Sequence, residues 1–154
     1  MRRKDRKKDS AFALEILRNC EYATLATVNA DGTPYCIAIS PALVGDAVYF
    51  HCAMEGKKLD NIKRNSAVCI SCVGRTKLVP EQFATEYESA VAIGKCEIIS
   101  NENEAEKIMA LRAICEKYAE SNMSEFDSAV ANALNHTCIC KISIEQITGK
   151  ARIV

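Results

Sequence analysis

The chain has 154 residues, the size of one ordinary domain; 49% of them are hydrophobic and the formal net charge is zero. This composition supports a real core and argues against a large nucleic-acid footprint. No apolar run approaches the ~20 residues that a membrane-spanning helix needs.

The charge is unevenly placed. "MRRKDRKK" holds six cations and one anion, a basic arm (residues 1–9) read as solvated or folded over a neighbouring subunit. An amphipathic stretch follows it, with no apolar segment and cleavage site, so the expected location is cytoplasmic. Nine cysteines in such a chain are expected to be reduced and mostly buried, and their odd number argues against a complete disulfide framework.

Ser10 to Cys20 reads as a short helix capped by Ser10, with Phe12, Ile16 and Leu17 on one face. The period then changes to two. "YATLATV", "TPYCIAIS" and "AVYFHCA" read as three strands joined by the turns "NADG" and "ALVGD", an antiparallel meander. After Gly56, "KKLDNIKRN" reads as a two-turn helix with Leu59 and Ile62 inward. "SAVCISCVG" is a fourth strand, "RTKLVPEQFATEYE" a loop, and "SAVAIGKCEII" a fifth strand in which Gly94 marks a bulge or bend. Asn101 and Glu104 have capping-box spacing and open a long helix with Ile108, Leu111, Cys115 and Tyr118 at helical intervals. "SEFDSAVANALN" is a second short helix, and "TCICKISIEQITG" the sixth strand. Six antiparallel strands with helices at the ends make a mainly β fold with α elements, a closed or nearly closed small barrel.

Three features bear on chemistry. Lys57 and Lys58 follow Gly56 at the start of a helix, where unpaired N–H groups and two ammonium groups suit a terminal phosphate. The spacing is not that of a Walker A loop, and solvated surface lysines are the plain alternative. In "PYCIAIS", Cys36, Ala38 and Ser40 give one strand face small side chains, while His51 shares its face with Tyr49 and Ala53. That surface leaves room for a flat ring, or for close packing under a helix. Cys52 beside the lysine loop is either a thiolate favoured by nearby cations or a buried small hydrophobe.

The cysteine patterns do not read as a metal site. Cys69 and Cys72 fall on opposite faces of one strand. His136, Cys138 and Cys140 share a face, but alternate strand residues lie roughly 6.6 Å apart, so at most one or two of them could grip one zinc without help from elsewhere. No metal is expected.

The pieces "MRRKDR", "YATLATVNADGTPY", "VYFHCAMEGKKLDNIKRNSAVC", "SAVAIGKCEII" and "ITGKAR", in this order, resemble the pyridoxamine 5'-phosphate oxidase-like FMN-binding split-barrel family. The likeness is to its nitroimidazole-resistance (nitroimidazole reductase-like) branch and covers nearly the whole chain. The resemblance implies a single split-barrel domain over 1–154 with six strands, and a homodimer with FMN at the subunit interface. It implies that Lys57 and Lys58 hold the FMN phosphate, that His51 and Cys52 line the flavin, and that Cys36, Ile37, Ala38 and Ile39 run along the ring and ribityl chain. Ser89 would reach the flavin from the other subunit, and His51 is the residue expected nearest the substrate. Ala38 stands where the branch often has proline. The C-terminal "ITGKARIV" lacks a convincing basic motif for a substrate phosphate, so vitamin B6 oxidation is not expected. The implied activity is FMN-dependent transfer of electrons from a reduced nicotinamide to a small acceptor such as a nitroaromatic. A non-catalytic flavin or haem carrier or sensor is the alternative. Partners from nucleic acid or membrane are not expected.

Overall fold

A computed structural model describes residues 2–154; Met1, at the tip of the basic arm, lies outside the described residues. Six long strands form the body: β2 (Ala23–Val28), β3 (Pro34–Ile39), β5 (Ala47–Cys52), β6 (Ala67–Val79), β7 (Ala84–Ile98) and β8 (Cys138–Arg152). Two short ones, β1 (Lys7–Lys8) and β4 (Ala42–Val44), join them. All pairings are antiparallel, in the order β3-β2-β6-β7-β8-β5-β4, with β1 on β8. Strands at opposite ends of this order share one core: Ile39 of β3 packs in the same cluster as Val48 and Phe50 of β5. The sheet is therefore curled into an open half-barrel, the expected split barrel with flanking helices.

The interior is filled by alternate residues, among them Leu25, Ile70, Cys72, Cys96, Cys140 and Ile142, and by Ala13, Ile16 and Leu17 of α1 (Ser10–Asn19). On the outer face, α3 (Glu104–Tyr118) and α4 (Phe126–Ala133) cover Tyr49 and Ile139 with Leu111 and Phe126, forming a second cluster. Tyr49 is clamped there. Its hydroxyl donates to Glu106 at 2.8 Å, and Lys141 pairs with the same carboxylate at 3.1 Å.

Three expectations are corrected. First, "YATLATV", "TPYCIAIS" and "AVYFHCA" are strands but not a meander. β3 pairs only with β2; residues 42–44, read as part of a turn, form β4, and the β4–β5 hairpin lies at the far edge against β8. The chain makes this crossing at Pro41, which has no N–H to give a ladder and is fully buried. The Pro41 carbonyl accepts from Lys117 at 2.8 Å and from the Tyr118 hydroxyl at 2.9 Å, so the end of α3 holds the crossing in place. Second, Arg75–Glu88 is not a loop. β6 and β7 continue as a ribbon to a turn at Pro80–Gln82, with Lys77 opposite Glu86. Because most of this ribbon's β6 half is exposed, its sequence shows no apolar alternation.

Third, the caps are displaced. Asp9, not Ser10, caps α1, accepting from the Phe12 N–H at 2.8 Å. Asn103, two residues after the expected Asn101, caps α3 by accepting from the Glu106 N–H, while its side-chain amide donates to the Glu106 carboxylate. Within the basic arm, Lys7 and Lys8, both exposed, pair with Lys150 and Gly149 of β8. The Gly94 expectation holds. The register shifts between Ile93 and Gly94, and a side chain there would place its Cβ 2.0 Å from the Ser143 carbonyl oxygen.

Candidate functional site

The sheet fails to close between β3 and the far end of β5, and a cleft of about 360 Å³ opens at that seam. Ile37, Ala38, Ile39 and Ser40 form one wall, His51, Cys52 and Ala53 the other, and Lys58 and Tyr22 also reach in. Six of the nine residues expected from the sequence thus meet there: Ile37, Ala38, Ile39, His51, Cys52 and Lys58. β3 is an edge strand, so one side of its backbone has no sheet partner and offers N–H and C=O groups at the seam. Ala38 and Ala53 keep the walls shallow.

α2 (Lys57–Arg64) begins at this cleft. Gly56 precedes it with φ 135°, a backbone conformation other residues reach only with strain, and no side chain caps the helix start. The helix start is therefore open at its first N–H groups, and Lys58 reaches into the cleft beside it. Lys57 is exposed, one residue outside the cleft, with its ammonium 5.0 Å from the centre of the Tyr35 ring. Cys36 lies further down β3 on the outer face, exposed and opposite Ala26.

Ser89 is not in this cleft. It lies in β7 between Val73 and Lys150, and its hydroxyl donates to the Lys150 carbonyl at 3.5 Å.

Sequence reasoning missed Asn61. This side chain, buried in the middle of α2, donates to the Thr27 hydroxyl and to the Asn29 side-chain oxygen, each at 3.0 Å. These bonds fix the helix, and hence the lysine pair, against β2. Nothing in the local pattern marks Asn61, because its partners lie 34 and 32 residues earlier. Ser40 and Ala53, read from the sequence as part of the small-residue surface, line the cleft too; Tyr22 also does and was not singled out, since it precedes β2, where periodicity is weakest.

Behind Cys52, on the inner face of the sheet, Cys138 and Cys140 complete a group of three thiols whose sulfurs all lie within 4.8 Å of one another. The spacing along β8 allowed at most two ligands from that strand without help from elsewhere. Side chains on alternate residues lean together, and register adds a third from β5, with Cys52 directly opposite Cys138. His136 takes no part; it ends a 3-10 turn before β8. Hydrogen bonds from the Cys140 and Cys52 thiols pull the Cys138 thiol down, while the bond to Cys138 pushes Cys52 up to about 11. Of the two readings of Cys52, the upward shift and its packing against the core favour the small hydrophobe over the thiolate.

The comparisons with known proteins agree with this architecture. Residues 9–151 match the family described as pyridoxamine 5'-phosphate oxidase. The chain belongs to that family. A search of the curated proteins finds no match. Among solved structures, a candidate 5-nitroimidazole antibiotic resistance protein from Bacteroides thetaiotaomicron is 28% identical with a TM-score of 0.78, over 94% of this chain and 84% of that one. This likeness supports the nitroimidazole-resistance branch of the pyridoxamine 5'-phosphate oxidase family. The flavocytochrome Anf3 from Azotobacter vinelandii (20% identity, TM-score 0.81, 100% and 72% of the two chains) has the same fold. So does an FAD and heme binding protein from Mycobacterium smegmatis (20%, 0.82, 97% and 74%). Among the described residues no helix is long and apolar enough to cross a membrane.

Proposed function

We propose that this protein binds FMN in the seam cleft and uses it to pass electrons from a reduced nicotinamide to a small acceptor such as a nitroaromatic. The observation that carries the reading is the junction of an uncapped helix start bearing Lys57 and Lys58 with a shallow cleft walled by an unpaired strand edge. The donor set fits the group. The lysines and first-turn N–H groups match a phosphate, the backbone of Cys36–Ile39 matches the polar rim of the ring and the ribityl chain, and Ala38 and Ala53 leave a flat surface for the ring. FMN, when bound, supplies the electron-transfer chemistry. The chain positions the phosphate, shields one side of the ring and offers His51, an exposed residue at the cleft, as hydrogen-bond partner or proton donor to the acceptor.

A cleft of about 360 Å³ is near the lower end of cofactor sites, so one chain leaves much of the ring uncovered. The uncovered outer face of β3, β2, β6 and β7 supports a homodimer as the remedy. Cross-strand rows there read Cys36-Ala26-Cys69-Ile93 and Ala38-Thr24-Ser71-Val91, without a charge. Ser89 lies on this same face, beside Val73, where a second copy would present it to its partner's flavin.

A visible spectrum before and after adding FMN tests the reading, followed by NADH and NADPH oxidation with a nitroaromatic. An oxidised-flavin spectrum with turnover supports it. A Soret band, or bound flavin without turnover, replaces it by the carrier reading.

A further inference from the structure

We propose that Cys52, Cys138 and Cys140 form a site for a soft, thiophilic metal ion of the d10 class, held by three thiolates inside the barrel behind the cleft. The geometry is nearly made. The three sulfurs lie within 4.8 Å of one another, and three thiolates in a plane around an ion with ~2.3 Å bonds sit ~4.0 Å apart. Closure asks for less than about 1 Å of side-chain movement by that comparison. The ligands stand on two paired strands, with Cys52 opposite Cys138 and Cys140 two residues on, so the backbone is already ordered.

The donor type sets the ion class. No carboxylate or imidazole of the described residues joins the group, and an all-sulfur set in an apolar core favours soft ions over magnesium or calcium. Entry is open from two sides. Cys138 lines an opening of about 220 Å³ that Met54 and Lys63 share, while Cys52 lines the seam cleft beside Lys58. The two lysines bring positive charge to the approaches of a complex that carries net negative charge, and the Met54 thioether offers a soft contact on the way in. On binding, three metal–sulfur bonds form, each sulfur still protonated loses its S–H proton to solvent, and no electron moves.

The full chain, freed of flavin and metal by dialysis with a chelator and a reductant, is titrated with cadmium(II) under inert gas. We expect one equivalent per chain, an ultraviolet sulfur-to-cadmium charge-transfer band, and a release of protons. Cys52→Ser and Cys138→Ser should each weaken binding by more than about 100-fold, beyond the range for outer-shell changes. Cys36→Ser and Cys115→Ser should leave it unchanged. Cys52 is only half-buried, so its variant is the one surest to fold, and circular dichroism checks it. Absence of the band, or equal affinity in wild type and both ligand variants, overturns the site. Because flavin is absent from the titration, either result leaves the flavin reading standing.

Discussion

At the β5–β8 end of the sheet, the outer face carries Tyr49, Ile139 and Lys141 beneath α3 and α4. At the β3-β2-β6 end it carries Thr24, Ala26, Cys36, Ala38, Cys69 and Ser71, which stay exposed or half-exposed. Where the chain covers itself, it uses large apolar side chains and closes the rim with the Tyr49–Glu106–Lys141 clamp. Where it does not, side chains are small and uncharged, yet Val73 is 53% and Ile93 46% exposed. A solvated sheet face normally alternates in charged residues. This one has the texture of a surface kept flat for a second surface, in keeping with the proposed dimer and with a flavin lying at its margin.

Substitutions at the two ends should behave differently. Leu111→Ala, beneath α3, removes buried volume from the covered layer and should cost ~2–5 kcal/mol in a denaturant melt. A loss below about 1 kcal/mol would mean that α3 is loosely seated. At the seam between the two ends, replacing Lys57 and Lys58 together with alanine should weaken FMN binding by ~2–4 kcal/mol with little change in stability, read by flavin fluorescence. Unchanged affinity would remove the phosphate corner.

Glu106→Gln should cost about 1–2 kcal/mol, the scale of a charged hydrogen bond. The Tyr49 hydroxyl, and then Lys141, hold the Glu106 carboxyl below its usual range. Its contribution is therefore fully present above the pKa of the unfolded chain and is lost as pH falls through the lower folded value. The wild type should lose its advantage over the variant across that acid window. A gap that stays constant with pH would assign the effect to packing. Ser71→Glu, on the bare end, should change the stability of the isolated chain by no more than about 0.5 kcal/mol. Light scattering should nevertheless show the mass falling to that of a monomer. A dimer that persists would place the partner elsewhere.

The long strands were legible because their faces alternate. Ala23 and Leu25 are fully buried while Thr24 and Ala26 are half-exposed, and the same rule runs through β6 from Val68 to Cys72. Leu59 and Ile62 were legible as the inward face of α2 for the equivalent helical reason. The β6–β7 ribbon was not, because strands with solvent on most of their surface need no apolar pattern. In the cleft, Lys58 and Ala38 carried local signals, a glycine before two lysines and a strand face of small side chains, while Ile37, Ile39 and Cys52 were placed there by the family resemblance. Asn61 escaped because only its distant partners make it structural.

Alternation, turn chemistry and the lysine-bearing helix start are local, and the amino-acid order alone determined them. The path of the chain after Pro41 was decided by tertiary structure, since a strand's pattern says which face is buried but not which neighbour it pairs with. The three thiols show the same limit most plainly. Cys52 stands far in sequence from Cys138 and Cys140, and only the register of β5 on β8 sets their sulfurs side by side.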